Sequence, residues 1–322
     1  FSGTHTDCQI DCITGQLEFN GGVFDGEGSF EQNGTGNGYG TGGCVFNAPI
    51  TIKKSTNALL RLGTAIPDTF NSRVEFICVN KIPLEISYGS ASVFNDIVSV
   101  SCYGANSEIT IGNDTDTVQF NGDAALATGS EGLTDGVVIL KRISQSGRGD
   151  NELSGDEEFV IHIESCTFNG GMLLTAPSIL LKNSVFWGDV TLTKIRAASN
   201  NYSYGGNSFY GRATLENQDG TYAFRLANNA GDHFYNDVVF ASSSNRIQMA
   251  YSGNNYFEGN ISINSSDIKF NTSSGKVVLT GDKNQTLEGT DPYLLGKLEI
   301  DKTAGAVQLD QQMTIDSSIT FV

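Results

Sequence analysis

The sequence is poor in basic residues. Nineteen Lys and Arg stand against 36 Asp and Glu, which gives a formal net charge of −17. A surface of this sign argues against sequence-independent binding to nucleic acid or anionic lipid. The chain also lacks a sustained 3.6-residue apolar period, and no apolar run approaches the roughly 18 residues that a membrane-spanning helix needs. Neither long helices nor a membrane span are therefore expected.

Motifs for metal and phosphate binding are missing as well. The three histidines do not cluster in sequence, and neither His-Glu-x-x-His nor Cys-x-x-Cys occurs. The Gly-rich stretch 34–43 lacks the Gly-Lys-Ser/Thr that completes a phosphate-binding loop. No cofactor is predicted, and only acidic turns such as residues 113–116 leave weak calcium binding open.

What the sequence does contain is a repeat. A Phe is followed by a turn-like segment and then by apolar residues at the fourth and sixth positions after it. The step between copies is near 24 residues, and a period of this size indicates stacked structural units. The copies begin at Phe24, Phe46, Phe70, Phe94, Phe120, Phe168, Phe186, Phe209, Phe234 and Phe257.

Each period holds at least two short strands, because a second apolar pair follows about fourteen residues after each Phe. One such unit has nothing to bury its apolar face against, whereas copies stacked about 4.8 Å apart pair their backbones and share a core. The sequence therefore predicts an all-β, right-handed parallel β-helix with about 24 residues per coil. The second pairs are Leu60/Leu62, Leu84/Ile86, Ile109/Ile111, Phe224/Leu226, Ile247/Met249 and Ile268/Phe270.

Coils are predicted for residues 1–280, with an irregular, loop-bearing region at about 128–158 where the Phe expected near 144 is missing. Residues 281–322 continue the solenoid with an altered repeat. Neither end reads as a cap, so the chain is expected to be a fragment of a longer protein. The position after the Phe forms a predicted hydrogen-bonding column of Asn side chains, at residues 47, 71, 95, 121 and 169.

The six cysteines leave their pairing open. Cys78 and Cys102 share the inward register and should stack on neighbouring coils. In-register stacking holds Cβ atoms farther apart than a disulfide prefers, so buried free thiols are favoured there. Cys8 and Cys12 could either bridge locally or remain free.

Four segments of the second half consist of turn and core positions: Asn207–Gly211, Asp232–Phe240, Arg246–Tyr251 and Phe257–Ile263. They resemble the repeats of very large surface proteins of Bacteroidota bacteria, including gliding-motility adhesins of the SprB type. The segment Gly281–Leu287, followed by Leu298–Lys302, is similar to another strand-rich repeat of those proteins. The resemblance covers about residues 166–315.

The resemblance implies export by the type 9 secretion system, an extracellular location at the bacterial cell surface, and a role in adhesion or gliding motility. It implies a surface polysaccharide, a substratum or the secretion machinery as partners. The chain lacks the separate C-terminal sorting domain that such secretion substrates usually carry, which fits a fragment.

Two columns are candidate ligand-binding sites. Asp189, Arg212 and Asp237 lie three residues after their Phe on consecutive coils. They could form a cation or sugar site, but a surface ion-pair ladder is favoured. Large aromatic side chains follow the Phe directly at Trp187, Tyr210 and Tyr235 and could stack on sugar rings, although a role in covering the corner of the coil is favoured.

Parallel β-helices also include polysaccharide lyases and glycosidases, which need paired carboxylates or an acidic calcium site on the outer face. The outward columns contain no acidic pair, so a non-enzymatic stalk or spacer is predicted, with a carbohydrate-active enzyme or a glycan-binding module as alternatives. The first column is Thr51, Glu75, Ser99, Ala125, Leu173, Thr191, Thr214, Val239 and Ser262, and the second is Arg61, Glu85, Thr110, Arg225, Gln248 and Lys269.

Overall fold

The structure is a computed structural model. It describes residues 3–5, 9–156, 158–196, 199, 201–219, 221–242, 247–264, 273–289, 294–310 and 314–322. Within these ranges the chain forms strands and turns but no helix, and so no helix that could cross a membrane. The chain divides into two compact units, unit 1 at Phe1–Gly171 and unit 2 at Met172–Val322.

Unit 1 is a stack of coils that forms three parallel sheets. Its first sheet carries the repeat Phe, in strands Gly3–His5, Gly22–Phe24, Val45–Phe46, Thr69–Phe70, Val93–Phe94, Val118–Phe120, Ile143–Gln145 and Thr167–Phe168. The second sheet follows the turn after the Phe, in strands Ile10–Thr14, Gly28–Gln32, Ile50–Lys54, Val74–Cys78, Val98–Cys102, Leu126–Leu133 and Asn151–Ser154. The third carries the second apolar pair, in strands Gly38–Tyr39, Leu60–Arg61, Leu84–Ile86, Glu108–Ile111, Val137–Lys141 and Val160–Glu164.

Unit 2 follows the same order within each coil. Its first-sheet strands are Val185–Phe186, Ser208–Phe209, His233–Phe234, Asn255–Phe257, Val277–Leu279, Leu294–Ile300 and Thr314–Phe321. Its second-sheet strands are Met172–Ala176, Val190–Lys194, Ala213–Asn217, Val238–Ser242, Ile261–Asn264, Gln285–Gly289 and Val307–Leu309. Its third-side strands are Ser178–Lys182, Asn201–Tyr202, Phe224–Arg225 and Ile247–Gln248.

These sheets confirm the predicted parallel β-solenoid, with roughly 23 residues per turn. Within each unit, the strands of the first and second sheets pair with the corresponding strand of the next coil, as Val74 does with Ile50 on one side and with Val98 on the other. The predicted second apolar pairs are buried where they are described, and Ile268/Phe270 lies outside the described residues. Alternation along each strand places these residues in the core because successive side chains point to opposite faces.

The repeat Phe residues lie over one another inside each unit. In unit 1 the rings of Phe46 and Phe70 stack with centroids 4.9 Å apart, those of Phe70 and Phe94 stack at 4.8 Å, and the ring of Phe120 is tilted by 58° relative to Phe94. In unit 2 four Phe rings stack in chain order, with successive centroids 5.1, 4.6 and 4.8 Å apart. These are the rings of Phe186, Phe209, Phe234 and Phe257. Phe168 is also fully buried.

The Phe missing near residue 144 is replaced by Gln145, which pairs in register with Phe120. Gln145 is 1% exposed. Both polar atoms of its side-chain amide have hydrogen-bond partners: Nε2 donates to Ala124 O and Gly149 O, and Oε1 accepts from Gly170 N. A polar residue can therefore occupy the Phe column without an unpaired group, because the surrounding turn supplies backbone partners.

The same column continues beyond the last Phe of the repeat with other apolar residues. Phe257 pairs with Leu279, and Leu279 pairs with Ile300. Ile300 then pairs with Phe321. At Leu279, Ile300 and Phe321 the column is thus kept while the residue type changes.

The Asn residues after the Phe form the predicted ladder in unit 1. Asn71 Nδ2 donates to Asn47 Oδ1 at 2.7 Å, and Asn95 Nδ2 donates to Asn71 Oδ1 at the same distance. Asn121 extends the ladder to Asn95 at 3.1 Å. Asn169 departs from it and donates to Ser146 O.

The irregularity predicted at 128–158 is concentrated in one strand. Val100 pairs with Thr128 and Cys102 pairs with Leu133, so residues 129–132 form a bulge that interrupts the second sheet. Regular strands resume at Val137–Lys141, Ile143–Gln145 and Asn151–Ser154.

Cys78 and Cys102 are register partners on neighbouring coils, and both are free and fully buried, as predicted. Burial raises the pKa of the Cys102 thiol well above its usual range. Cys12 is free as well, and Cys8 lies outside the described residues.

The Phe column makes a testable contribution to stability. Replacing Phe70 with Ala removes a fully buried ring that stacks on both sides, so we expect a loss of about 3–5 kcal/mol in the free energy of unfolding, measured by urea denaturation. The control is Ile66→Ala, because Ile66 is 53% exposed and should cost about 0.5 kcal/mol or less. Equal losses in the two variants would contradict the stacked core.

Candidate functional site

The structure brings the three predicted aromatic residues of unit 2 together. The rings of Trp187 and Tyr210 stack with centroids 4.0 Å apart, and those of Tyr210 and Tyr235 stack at 4.3 Å. Each residue directly follows a Phe of the first sheet, so the coil-to-coil register of that sheet aligns the rings. We call Trp187, Tyr210 and Tyr235 the aromatic ladder.

Further side chains continue the aromatic ladder. The His233 ring stacks on Tyr235 at 3.9 Å, and His233 Nε2 lies 2.9 Å from Glu258 Oε1. Burial and the neighbouring Tyr210 hydroxyl raise the pKa of Tyr235. The Tyr235 hydroxyl therefore remains neutral at physiological pH.

The stacking limits what the aromatic ladder can bind. A sugar ring packs on the face of an aromatic side chain, but Trp187 and Tyr235 cover both faces of Tyr210. Trp187 is the most exposed member, at 52% of its surface. The geometry thus favours the corner-covering role over a sugar-stacking platform.

Asp189, Arg212 and Asp237 lie on consecutive coils but form no ion pair with one another among the described residues. Asp189 Oδ1 instead accepts a hydrogen bond from Arg212 N at 2.8 Å, and Asp237 Oδ1 accepts one from Asn260 N at 2.8 Å. The expected ion-pair ladder is therefore replaced by carboxylate-to-backbone bonds. Each carboxylate ties its turn to the backbone of the next coil.

Unit 1 contains a groove that the sequence did not predict. It has a volume of about 240 Å³ and lies on the outer face of the second sheet. Its lining includes the carboxylates of Asp11, Glu27 and Glu75 and the guanidinium of Arg73. Glu27 and Arg73 lie three residues after Phe24 and Phe70, the position that Asp189, Arg212 and Asp237 occupy in unit 2, but the candidate site was predicted only for unit 2.

One of these carboxylates is already bound within the protein. Glu75 Oε1 accepts hydrogen bonds from Ser130 N at 2.6 Å and Ser130 Oγ at 2.8 Å, both from the bulge at residues 129–132. Ser101 Oγ donates to the same atom at 3.3 Å. Glu75 therefore anchors the bulge. Asp11 is engaged as well, since its Oδ2 accepts a hydrogen bond from Gln9 Nε2 at 3.2 Å.

A longer turn after Phe120 changes the predicted outward column. Ser99 is fully buried, and Ala127, not Ala125, is its partner on the next coil. The prediction was wrong here because it counted residues from Phe120 and could not include a longer turn. Val239 in unit 2 is 6% exposed, so this outward position is covered as well.

The outward column of the third side shows a pattern common to both units. In unit 1 the Arg61 guanidinium lies 3.8 Å from the ring centroid of Tyr88, and Arg61 Nε pairs with Glu85 Oε2 at 2.5 Å. In unit 2 the Arg225 guanidinium lies between the rings of Tyr202 and Tyr251, at 4.6 and 4.5 Å. The basic residues of this column are thus engaged in cation–π contacts, and Lys269 lies outside the described residues.

A column of buried polar side chains in unit 2 was also missed. Ser184 N donates to Asn207 Oδ1, and Asn207 N donates to Asp232 Oδ1, both at 3.0 Å. Asp232 N in turn donates to Asn255 Oδ1 at 2.6 Å. A small or polar residue two positions before the Phe is the sequence signal that could have identified this column.

Burial changes the acidity of aspartates at this position. It raises the pKa of Asp232 to about 6, although the hydrogen bonds from Asn207 act in the opposite direction. In unit 1, Asp68 accepts from Cys44 N at the same position of its coil, and burial raises its pKa to about 6 as well. These carboxyls are therefore structural acceptors that become costly to bury once they ionise.

No group of three or more His, Cys, Asp or Glu side chains that could hold a metal ion occurs among the described residues. Comparison of the chain with protein-family models, curated proteins and solved structures gives no match. The site must therefore be interpreted from its own geometry.

The aromatic ladder should act chiefly on stability. Tyr210→Ala removes two stacked pairs, each worth about 0.5–1.5 kcal/mol, so we expect the free energy of unfolding to fall by about 1–3 kcal/mol in urea denaturation. Tyr222→Ala is the control, since no ring contact of Tyr222 occurs among the described residues. A loss of glycan retention without a loss of stability would contradict this role.

Asp232 should give a defined pH dependence. Its pKa is higher in the folded chain than in the unfolded chain, so its contribution to stability falls as the pH rises from about 4 to about 6. Asp232→Asn should remove this slope. Across that pH interval the free energy of unfolding of the variant should rise by on the order of 2 kcal/mol relative to that of the wild type, at about 1.4 kcal/mol per pKa unit. Urea denaturation at several pH values measures this difference, with the surface variant Asp237→Asn as control. If the free energy of unfolding changed with pH in parallel for the wild type and Asp232→Asn, the raised pKa would not belong to Asp232.

Proposed function

We propose that this chain is a non-enzymatic, extracellular segment of a large bacterial surface adhesin that acts as a rigid spacer in adhesion or gliding motility. The observation that carries the proposal is that side chains in each unit form ring contacts and hydrogen bonds with the neighbouring coil. Rings, amides and carboxylates that could form a site are engaged with their counterparts one coil away. The resemblance over about residues 166–315 supports the same function.

The mechanism of a spacer is mechanical. Each added coil lengthens a solenoid by about 4.8 Å, and parallel backbone pairing joins every coil to the next. The Asn ladder of unit 1 and the aromatic ladder of unit 2 add side-chain contacts along the same direction. Such contacts resist separation of the coils under load.

The proposal includes export through the type 9 secretion system of a Bacteroidota bacterium and anchoring at the cell surface. A surface polysaccharide or the substratum would then be the partner of the whole adhesin, and the secretion machinery a transient one. The net charge of −17 is compatible with an exposed, hydrated surface.

The groove of unit 1 favours a second candidate, a glycan-binding or glycan-cleaving function. Asp11 and Glu27 could supply the two carboxylates that glycosidases use, and Arg73 could bind an acidic sugar. Existing hydrogen bonds weigh against catalysis, because Gln9 Nε2 already donates to Asp11 Oδ2 and the third carboxylate, Glu75, is held by three donors.

Incubation with a panel of neutral and acidic polysaccharides separates the two functions. The spacer proposal predicts neither reducing ends nor unsaturated products, and equal electrophoretic mobility in gels with and without glycan. Products that disappear in Arg73→Ala would establish an enzyme and refute the spacer. Retention without products, lost in Arg73→Ala but kept in Trp187→Ala, would assign a binding module to the groove.

A further inference from the structure

Unit 2 buries a lysine beside an amide and a carboxylate. Lys194 and Asn217 are register partners on adjacent strands of the second sheet, and both are fully buried. Lys194 Nζ donates to Asp219 Oδ2 at 2.6 Å, and Asp219 is 4% exposed. Asn217 Oδ1 accepts from Asp219 N at 3.1 Å.

From this cluster we infer a self-catalysed cross-link: an isopeptide bond between Lys194 Nζ and Asn217 Cγ that joins two consecutive coils. The inference does not depend on the proposed function. Amine and amide lie on neighbouring strands, whose backbones are about 4.8 Å apart. The Asp219 carboxylate touches the amine directly, and its backbone N–H polarises the carbonyl of the amide that is attacked.

The reaction needs no oxidant, metal or cofactor. The Lys194 ammonium passes a proton to Asp219, and the neutral amine attacks Asn217 Cγ. Asp219 then returns that proton to Asn217 Nδ2 and takes the second proton of the attacking nitrogen, the Cγ–Nδ2 bond breaks, and ammonia leaves, so that Asp219 ends protonated. One C–N bond forms and one breaks, so the chain loses one ammonia in total.

The electrostatics of the cluster suit this sequence of steps. Burial lowers the pKa of Lys194, which eases formation of the neutral nucleophile. Burial also acts to raise the pKa of Asp219, but hydrogen bonds from Lys194, Thr221 N and Tyr222 N lower it overall. Asp219 is therefore an ionised proton acceptor beside the amine.

Unit 1 provides an internal comparison. Lys54 also ends a five-residue strand of the second sheet and is fully buried, and its register partners are Gln32 on one side and Cys78 on the other. Its ammonium lies 3.9 Å from Cys78 Sγ and donates to Thr56 O. Among the described residues Lys54 has no carboxylate partner, so it lacks the proton acceptor that Asp219 provides for Lys194.

Intact-mass spectrometry of the denatured wild-type chain tests the inference directly. We expect a mass one ammonia below that of the sequence, and a tryptic peptide pair joined at Lys194 and Asn217. The full sequence mass would overturn the inference and leave Lys194–Asp219 as a buried ion pair. Loss of one water with a link at Asp219 would overturn it too.

Two variants test the assigned roles. Asp219→Asn removes the proton acceptor and should restore the full sequence mass, whereas cross-linking that persists in this variant would refute the proton transfer through Asp219. The matched control Lys54→Arg alters the buried lysine of unit 1 and should still lose one ammonia. A full-mass Lys54→Arg chain beside a cross-linked wild type would contradict the assignment to Lys194.

Discussion

In-register pairing of each coil with the next is the constraint on which the structure of both units depends. A single coil cannot bury its apolar face, so its strands become stable only when a neighbouring coil supplies hydrogen bonds and a shared core. Because pairing is in register, equal positions of successive coils must coincide. Any residue type that recurs with the period therefore becomes a column, whatever its chemistry.

This constraint explains why polar side chains are used as connectors. The Asn ladder, the turn carboxylates and the buried column through Asp232 each satisfy a donor or acceptor one coil away. Buried polar groups are tolerated because each has a partner fixed by the register. In the sequence of such a chain, these columns can be mistaken for ligand-binding sites, because the residue types that connect coils are also those that bind ligands.

The two buried lysines show how far local context changes a repeated position. Lys54 faces a thiol and a backbone carbonyl, while Lys194 faces Asn217 and Asp219. A buried ammonium is costly unless it is paired or chemically consumed, so a position that accepts lysine twice suggests a specific use in at least one unit. The proposed cross-link would add covalent strength to backbone pairing.

The sequence by itself determined the fold class, the stacked Phe column, the Asn ladder and the free thiols at Cys78 and Cys102, since these follow from period and parity alone. Only the tertiary structure decided the partners of Asp189, Glu75 and Lys194, because such contacts depend on turn lengths and on side chains from other coils. The misplaced Ala125 shows the physical reason: a period fixes which residues align only until a turn of different length changes the count.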